Sequence, residues 1–475
     1  MLLGERDRRV TFGECRAWSE RVAAGLFALG VREGMPITWQ LPTRIEAVVL
    51  SLALARLGAV QNPILPIYRE REVGAVLRQT GARWLVVPGT FRGFDYAALA
   101  HALRDAAGEA FEVLKADPDL PEGGPGALPP PPSDGAAVRW LYTTSGTTAA
   151  PKCARHSDAT LIAGGTGLAI ALDAQPDDVG SIAFPYTHIG GPDYLVMLLL
   201  RGMAAVLLES FVPEPAIAVF RRHGVTMSGG STAFYQAFLN EQRAHPGTKL
   251  LPALRQLAGG GAPKPPEVFW QVRRELGIPI LHGYGMTECP MIASGASGDS
   301  DEQLANTDGK PVEGCEVRVV DGEIQVRGPM LCLGYTDPAL TAAAFDADGF
   351  FRTGDLGHVR ADGHVVLTGR SKELIIRKGE NLSPREIEDL LVTHPSVAAV
   401  AVIGLPDAER GERVCAVVET RPGAVPLDFA AMQAHCRAAG LMAQKIPEQL
   451  ELVDALPRNA TLKILKHELR ARFER

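Results

Sequence analysis

Residues 142–152 read YTTSGTTAAPK, a run of small and hydroxylated side chains closed by a lysine. Thr144, Ser145, Gly146, Thr147 and Thr148 can turn backbone N–H groups and hydroxyls toward phosphate oxygens, and Lys152 supplies a counter-charge. An apolar strand predicted over 138–142 would lead the chain into that turn. The run lacks the GK[ST] ending of the common P-loop, and alone it reads about equally well as a plain polar turn. Further stretches rich in chemistry follow: GGGAP at 259–263, GYGMTE at 283–288, RTGD at 352–355, GRSK at 369–372, KGENLSPREIE at 378–388 and LPRNATLK at 456–463.

One such match is weak; six in this order after the hydroxyl-rich loop are strong. Together they resemble the adenylate-forming superfamily, which comprises acyl- and aryl-CoA synthetases, luciferases and the adenylation domains of peptide synthetases. The likeness runs from about residue 11 to the C-terminus. It implies that Thr144, Ser145, Gly146, Thr147, Thr148 and Lys152 hold the phosphates of ATP that leave as pyrophosphate. Glu288 would bind Mg²⁺, a hard cation suited to carboxylate and phosphate oxygens, and Thr287 would donate to the α-phosphate. Tyr284, followed by Gly285, would stack on adenine, with Gly260, Gly261 and Ala262 letting the base approach the backbone. Asp355 would accept both ribose hydroxyls, and Arg370 would donate to the ribose.

Lys463 matches the family's C-terminal lysine, which sits between the substrate carboxylate and the α-phosphate. A cation there stabilises two anions as they approach. Lys372 falls at the hinge of a small domain that swivels after adenylation, and Gly379 and Glu380 fall in a turn expected to line the pantetheine path of coenzyme A. His188, in FPYTHIGG, matches a residue at the mouth of the acyl pocket; a satisfied core histidine is the competing reading. The implied fold is α/β: a large multi-layer N-terminal domain of mixed sheets and helices over 1–369, then a small mobile α+β domain over 370–475.

The implied activity is that of an ATP-dependent carboxylic acid–CoA ligase, forming an acyl-AMP and pyrophosphate and then acyl-CoA. The segments IEAVVLSLALARLGAVQNPILPIYREREV, GGSTAFYQAF and NTDGKPVEGCEVRVV resemble the cyclohexanecarboxylate and short- to medium-chain fatty acyl-CoA ligases, so the acid expected is medium-chain, alicyclic or aromatic. Residues 184–191 contain no aspartate to bind a substrate ammonium, which disfavours amino acids. Two alternatives stand beside this reading: an enzyme that loads an acyl carrier protein, and a non-catalytic nucleotide- or acyl-binding descendant. Four positions depart from the family's usual glycine, at Ala149, Cys153, Lys378 and Leu462. A glycine required at positive φ is replaced only at a cost in strain.

The elements that must position these groups are also legible. Thr11 and Glu14 form a capping box for an amphipathic helix carrying Trp18, Val22, Leu26 and Leu29 and ending near Gly30. Short apolar runs at 84–87 and 204–208 alternate with helical stretches at 215–222 and 266–276, the pattern of α/β layers. Residues 117–135 are rich in Pro and Gly and read as a surface loop. Beyond a hinge at 369–372, a strand over 373–377 and a Gly-containing turn precede a helix capped by Ser383, with Pro384 first and Glu386 completing a second capping box. Two alternating runs at 397–403 and 414–419 and a basic terminal helix follow.

At 475 residues, with 46% apolar and 22% charged side chains, the chain can bury a substantial core in one large and one small domain. A net charge of −7 spread over both signs disfavours nucleic acid as a partner. Seven scattered cysteines without a CxxC pair suggest neither a disulfide framework nor a zinc site. The apolar runs at 45–55 and 194–200 are too short for a membrane span and are expected to be buried helices; the N-terminus lacks a long apolar run, and a cytoplasmic location is expected.

Overall fold

The computed structural model describes residues 2–4, 8–108, 110–116, 119–144, 152–459 and 462–474. The helix Phe12–Ala28 opens on Thr11, whose hydroxyl accepts from the Glu14 N–H while the Glu14 carboxylate accepts from the Thr11 N–H. Val22 and Leu26 enter the main core; Leu29 lies past the helix end and is exposed. The helix Ile45–Leu57 is buried along most of its length. The second apolar run lies in the helix Gly190–Arg201, where Leu195 and Leu198 are buried but Leu199 and Leu200 face solvent. Among the described residues no helix is long and apolar enough to cross a membrane.

The large N-terminal part layers helices against mixed sheets. One sheet runs in the order Lys152–Ser157, Val138–Thr144, Val60–Pro63, Pro36–Trp39, Trp84–Val87 and Glu112–Lys115. All its neighbours pair in parallel except the first two strands, which flank the hydroxyl-rich loop and pair antiparallel. A second sheet aligns Met227–Gly230, Gln256–Gly260 and Ile280–Met286 in parallel, then turns back through Cys289–Ser294 and Lys310–Pro311. An antiparallel sheet of Glu316–Val320, Glu323–Arg327, Phe351–Val359 and Val365–Arg370 leads to the hinge. Residues 119–135 cover the first helix: a Cβ at Gly25 would stand 2.3 Å from the Pro121 carbonyl oxygen, and Leu120 enters the core.

The small C-terminal domain has its own sheet. The strands Val397–Asp407 and Gly411–Thr420 pair antiparallel, and Gln449–Val453 joins the second of them in parallel. Their central residues are buried on both faces, since the helices Pro384–Leu391 and Phe429–Ala438 cover one face and Lys466–Phe473 the other. This is why the two runs look more continuously apolar than alternating.

Two local expectations are corrected. The strand expected over 373–377 begins only at Ile375, because Ser371–Glu373 forms a turn of 3₁₀-helix at the hinge. Ser383 makes no capping bond; its hydroxyl donates to the Thr368 carbonyl across the hinge, and Glu386 pairs instead with Lys445. A tie between the two parts of the chain outcompetes the local cap.

The hairpin Ile375–Arg377 to Glu380–Leu382 closes through Lys378 and Gly379, with φ of 50° and 81°. Two residues at positive φ are what a type I′ turn demands, and Asn-Gly suits it best. Lys378 therefore sits in a conformation that its side chain disfavours, while its ion pair with Glu409 is exposed and contributes little. Lys378→Asn should raise the unfolding free energy by ~0.5–1 kcal/mol. Urea denaturation measures this, and an unchanged or lower midpoint contradicts it.

Candidate active site

Two of three parallel strands end in glycine, and the third passes them at Gly283. Gly230 is in register with Gly259, and Gly260 with Gly283. A Cβ at Gly260 would stand 2.2 Å from the Gly283 carbonyl oxygen, and one at Gly285 2.1 Å from that of Pro290. Only glycine lets these backbones close, at the carboxyl ends of parallel strands where ligands of open α/β sheets bind. Gly261 then turns the chain away at φ 78°, ahead of Ala262.

The third strand carries Tyr284, whose hydroxyl donates to Asp355 Oδ2 at 2.7 Å. Arg370 Nε donates to Asp355 Oδ1, also at 2.7 Å, from a cross-strand register position. Asp355 is buried, and each of its oxygens keeps a second lone pair for a further donor. Burial, then the Asp355 charge, push the Tyr284 phenol well above its ordinary range.

Beyond Tyr284 the chain turns through Thr287 and Glu288. Glu288 is buried, and its Oε1 accepts from the Tyr335 hydroxyl at 2.6 Å. The Lys152 ammonium lies 5.0 Å from the centre of the Tyr335 ring. Lys152 is the cross-strand partner of Thr144, so the hydroxyl-rich segment connects two paired antiparallel strands. Ser145, Gly146, Thr147, Thr148 and Ala149 lie outside the described residues. The Thr287 carbonyl accepts from His156 Nε2 at 2.8 Å.

The tail of the chain enters the same region. Lys463 is held in a tight turn: its N–H donates to Asn459 Oδ1 and its carbonyl accepts from the Asn459 N–H, both at 2.9 Å. Burial lowers the pKa of its ammonium; Arg370 lowers it further, while Glu373 and Asp355 oppose the shift. Burial, followed by the charge of Lys463, takes His188 down to about 4, so its imidazole is neutral at physiological pH. Its Nδ1 accepts from the Gly190 N–H at 3.2 Å, which assigns the neutral ring's proton to Nε2. Asp355, Arg370, Lys463 and His188 thus converge. Behind them Lys466 bridges Glu373 at 3.4 Å and Glu388 at 2.7 Å.

Not every expected residue joins this group. Lys372, Gly379 and Glu380 are exposed, and the turn at Lys378 is tied to Glu409 and Arg410 in its own domain. Of the four departures from glycine, Lys378 and Leu462 do adopt left-handed φ, 50° and 62°, while Cys153 is a buried strand residue outside that region.

Sequence reasoning missed His156, Tyr335 and Glu373, whose partners are distant in the chain. It also missed a cross-domain cluster. Lys264, buried and donating to the Ala305 carbonyl at 2.7 Å, and Asp308 come from the large domain. Arg385, 3.6 Å from Asp308 and 3.7 Å from Asp389, comes from the small one. Burial takes Lys264 down to about 8 and Asp389 up to about 6. The only available signal was charge at helix spacing, which usually marks a solvated face.

This fold and this convergence of groups are those of an adenylate-forming enzyme. Residues 2–336 match the family model described as AMP-binding enzyme, and residues 386–463 match its C-terminal domain. The chain belongs to that family. It is 30% identical to the salicyl-AMP ligase / salicyl-S-ArCP synthetase of Mycobacterium tuberculosis, over 97% of this chain and 85% of that one. It is 30% identical to the medium-chain fatty-acid–CoA ligase of Escherichia coli, over 94% of this chain and 83% of that one. Among solved structures, ATP-bound MatB from Rhodopseudomonas palustris superposes with a TM-score of 0.90 at 28% identity, covering 100% of this chain and 95% of its own.

His156 is fully buried, and burial lowers its pKa from 6.5 to about 4. The unfolded chain therefore binds a proton that the folded one refuses, and stability falls as pH drops from 6.5 toward 4. The loss amounts to roughly 3 kcal/mol at 1.36 kcal/mol per pKa unit. His156→Gln, which can still donate to the Thr287 carbonyl, should flatten the slope of urea-unfolding free energy against pH across that window. An unchanged slope would refute the assignment.

Proposed function

We propose that this enzyme is an ATP-dependent carboxylic acid–CoA ligase that activates the acid as an acyl-adenylate. Its nucleotide domain spans 1–369 and its mobile domain 370–475, joined by a hinge at 369–372 that includes Lys372. The observation that carries the reading is the entry of Lys463, from the small domain, into the group formed by Asp355, Arg370 and His188 in the large one and at the hinge.

Asp355 and Arg370 hold the ribose, Tyr284 supplies a ring for the adenine, and Gly260, Gly261, Ala262 and Gly285 admit the base close to backbone. Lys152, Thr144 and the loop 145–148 grip the departing phosphates, and Thr287 donates to the phosphate that stays. Lys463 lies between the substrate carboxylate and that phosphate. There it offsets their mutual repulsion, which grows as the oxygens close, so its effect is larger in the transition state than in the ground state. His188, being neutral, orders the acid's side of the site without adding charge.

Glu288 fits a divalent cation. It is a buried carboxylate oriented by the Tyr335 hydroxyl, and among the described residues no cluster of three metal-ligating side chains surrounds it. One protein carboxylate, completed by phosphate oxygens and water, is how Mg²⁺ is usually held. When bound, the ion would neutralise phosphate charge.

In the second half-reaction the small domain swings about the hinge, withdrawing Lys463 and presenting Gly379 and Glu380 to the pantetheine arm. Their exposure in the present arrangement supports this. Coenzyme A as acceptor is supported by the Escherichia coli relative's name; a medium-chain acid is supported by that name and an aromatic one by the name of the Mycobacterium tuberculosis relative. The salicyl-S-ArCP synthetase keeps a second reading open, in which the acceptor is a carrier protein. Thioester formation with CoA alone separates the two.

Lys463→Ala should cut ATP–pyrophosphate exchange by about 10²–10³-fold while acyl transfer from supplied acyl-adenylate to CoA is largely kept. Equal loss of both half-reactions refutes the alternation of domains.

A further inference from the structure

Tyr335 belongs to none of the sequence motifs, yet two of the groups assigned to ATP meet on its side chain. Its hydroxyl donates to Glu288 Oε1 at 2.6 Å, and the Lys152 ammonium stands over its ring, 5.0 Å from the centre. Among the described residues no ion pair joins Lys152 directly to Glu288.

The backbone around the ring is tied to both groups. Residues 332–336 run beside the strand that carries Lys152. The Leu333 N–H donates to the Arg155 carbonyl at 2.8 Å, the Arg155 N–H to the Gly334 carbonyl at 2.9 Å, and the Thr336 N–H to the Cys153 carbonyl at 2.9 Å. At the start of the same segment the Cys332 N–H donates to the Glu288 carbonyl at 2.8 Å. Tyr335 itself is 3% exposed, and its N–H donates to Thr341 Oγ1 at 2.9 Å. Gly334, at φ 89°, lets the chain pass so close to Thr341 that a Cβ would stand 2.6 Å from Cγ2. The ring therefore has a fixed seat, set by bonds to the strand and the turn whose side chains it meets.

A neutral phenol answers both charges and cancels neither. A carboxylate and an ammonium in contact in a buried site attract strongly, and phosphate and metal would then have to part them. The face of the ring attracts the ammonium but leaves its charge whole. The hydroxyl fixes one oxygen of Glu288 and leaves the other open, since a carboxylate offers about four acceptor positions on its two oxygens. We propose that Tyr335 is a positioning residue for adenylation, presenting Glu288 to the divalent cation and Lys152 to the departing phosphates while keeping the two from neutralising each other. This rests on the ligase reading above and adds a residue to its ATP site.

The test is equilibrium binding to the full chain, with Mn²⁺ as the probe because it takes the same oxygen ligands as Mg²⁺. Calorimetry gives the affinity for ATP in EDTA and for ATP with excess Mn²⁺, and the ratio of the two reports how well the protein holds the metal. Tyr335→Phe keeps the ring and loses the donor, so the ratio should fall about 10-fold or more. Metal-free ATP affinity should stay within about twofold. In a Glu288→Gln background Tyr335→Phe should leave the ratio unchanged, because the hydroxyl acts through the carboxylate. Tyr335→Leu removes the ring as well and should weaken metal-free ATP too; if it does not fold, Tyr335→Phe carries the test alone. An unchanged ratio or an equal loss of both affinities in Tyr335→Phe overturns the inference and leaves the ligase reading standing. So does a further fall of the ratio in the Glu288→Gln background, or metal-free affinity kept in a folded Tyr335→Leu. No binding of ATP by the unmodified chain overturns both.

Discussion

The arrangement depends on one ammonium group carried across a domain boundary. Lys463 loses hydration on entering the cleft, and Arg370 and Lys466 add like charge to that penalty. Glu373 and Asp355 offset it, but Asp355 is already shared with Arg370 and Tyr284, and Glu373 with Lys466. Three cations thus share two carboxylates, Asp355 and Glu373. Buried ionic groups of this kind are near balance, and they become clearly favourable only when a further partner completes them. An anion in the cleft is such a partner, so closure of the small domain and occupancy by an anionic nucleotide favour one another.

Other contacts would bias the movement proposed for the small domain. The Ser383 hydroxyl holds the Thr368 carbonyl, and the Lys264, Asp308, Arg385 and Asp389 cluster exists only where both parts of the chain meet. The shifts of Lys264 to about 8 and Asp389 to about 6 record how far that meeting dehydrates them. Its members attract in pairs, but each pays with hydration, which suits a joint that must both form and release.

Much of the fold was legible because local rules and global packing agree. Thr11 caps the first helix as its spacing with Glu14 predicts, and the alternation of short apolar runs with helices does mark α/β layers. The glycines at 259–261 and 283 were visible as a motif, but their reason was not: it lies in the register of three strands, which brings backbones within contact of one another. Ser383 misled because a cap competes with any longer-range acceptor, and the Thr368 carbonyl is reached only in the folded chain. His156 and Tyr335 escaped for the same reason, their partners Thr287 and Glu288 being 131 and 47 residues away.

The two glycine departures with left-handed backbones have opposite energetics. Lys378 stands in an exposed turn, where its side chain recovers little for a conformation that disfavours it. Leu462 has a comparable φ, but it is partly buried against the core of the large domain. Left-handed geometry costs a leucine about 1–2 kcal/mol, and full burial of such a side chain contributes about 1.5–3 kcal/mol, so partial burial offsets much of the strain. That offset exists only while the tail lies in the cleft. A glycine in this position would feel neither strain nor packing and would leave the two domain arrangements closer in energy. The leucine concentrates its stabilisation in the arrangement that seats the neighbouring Lys463, so a residue that breaks the local backbone rule strengthens the contact next to it.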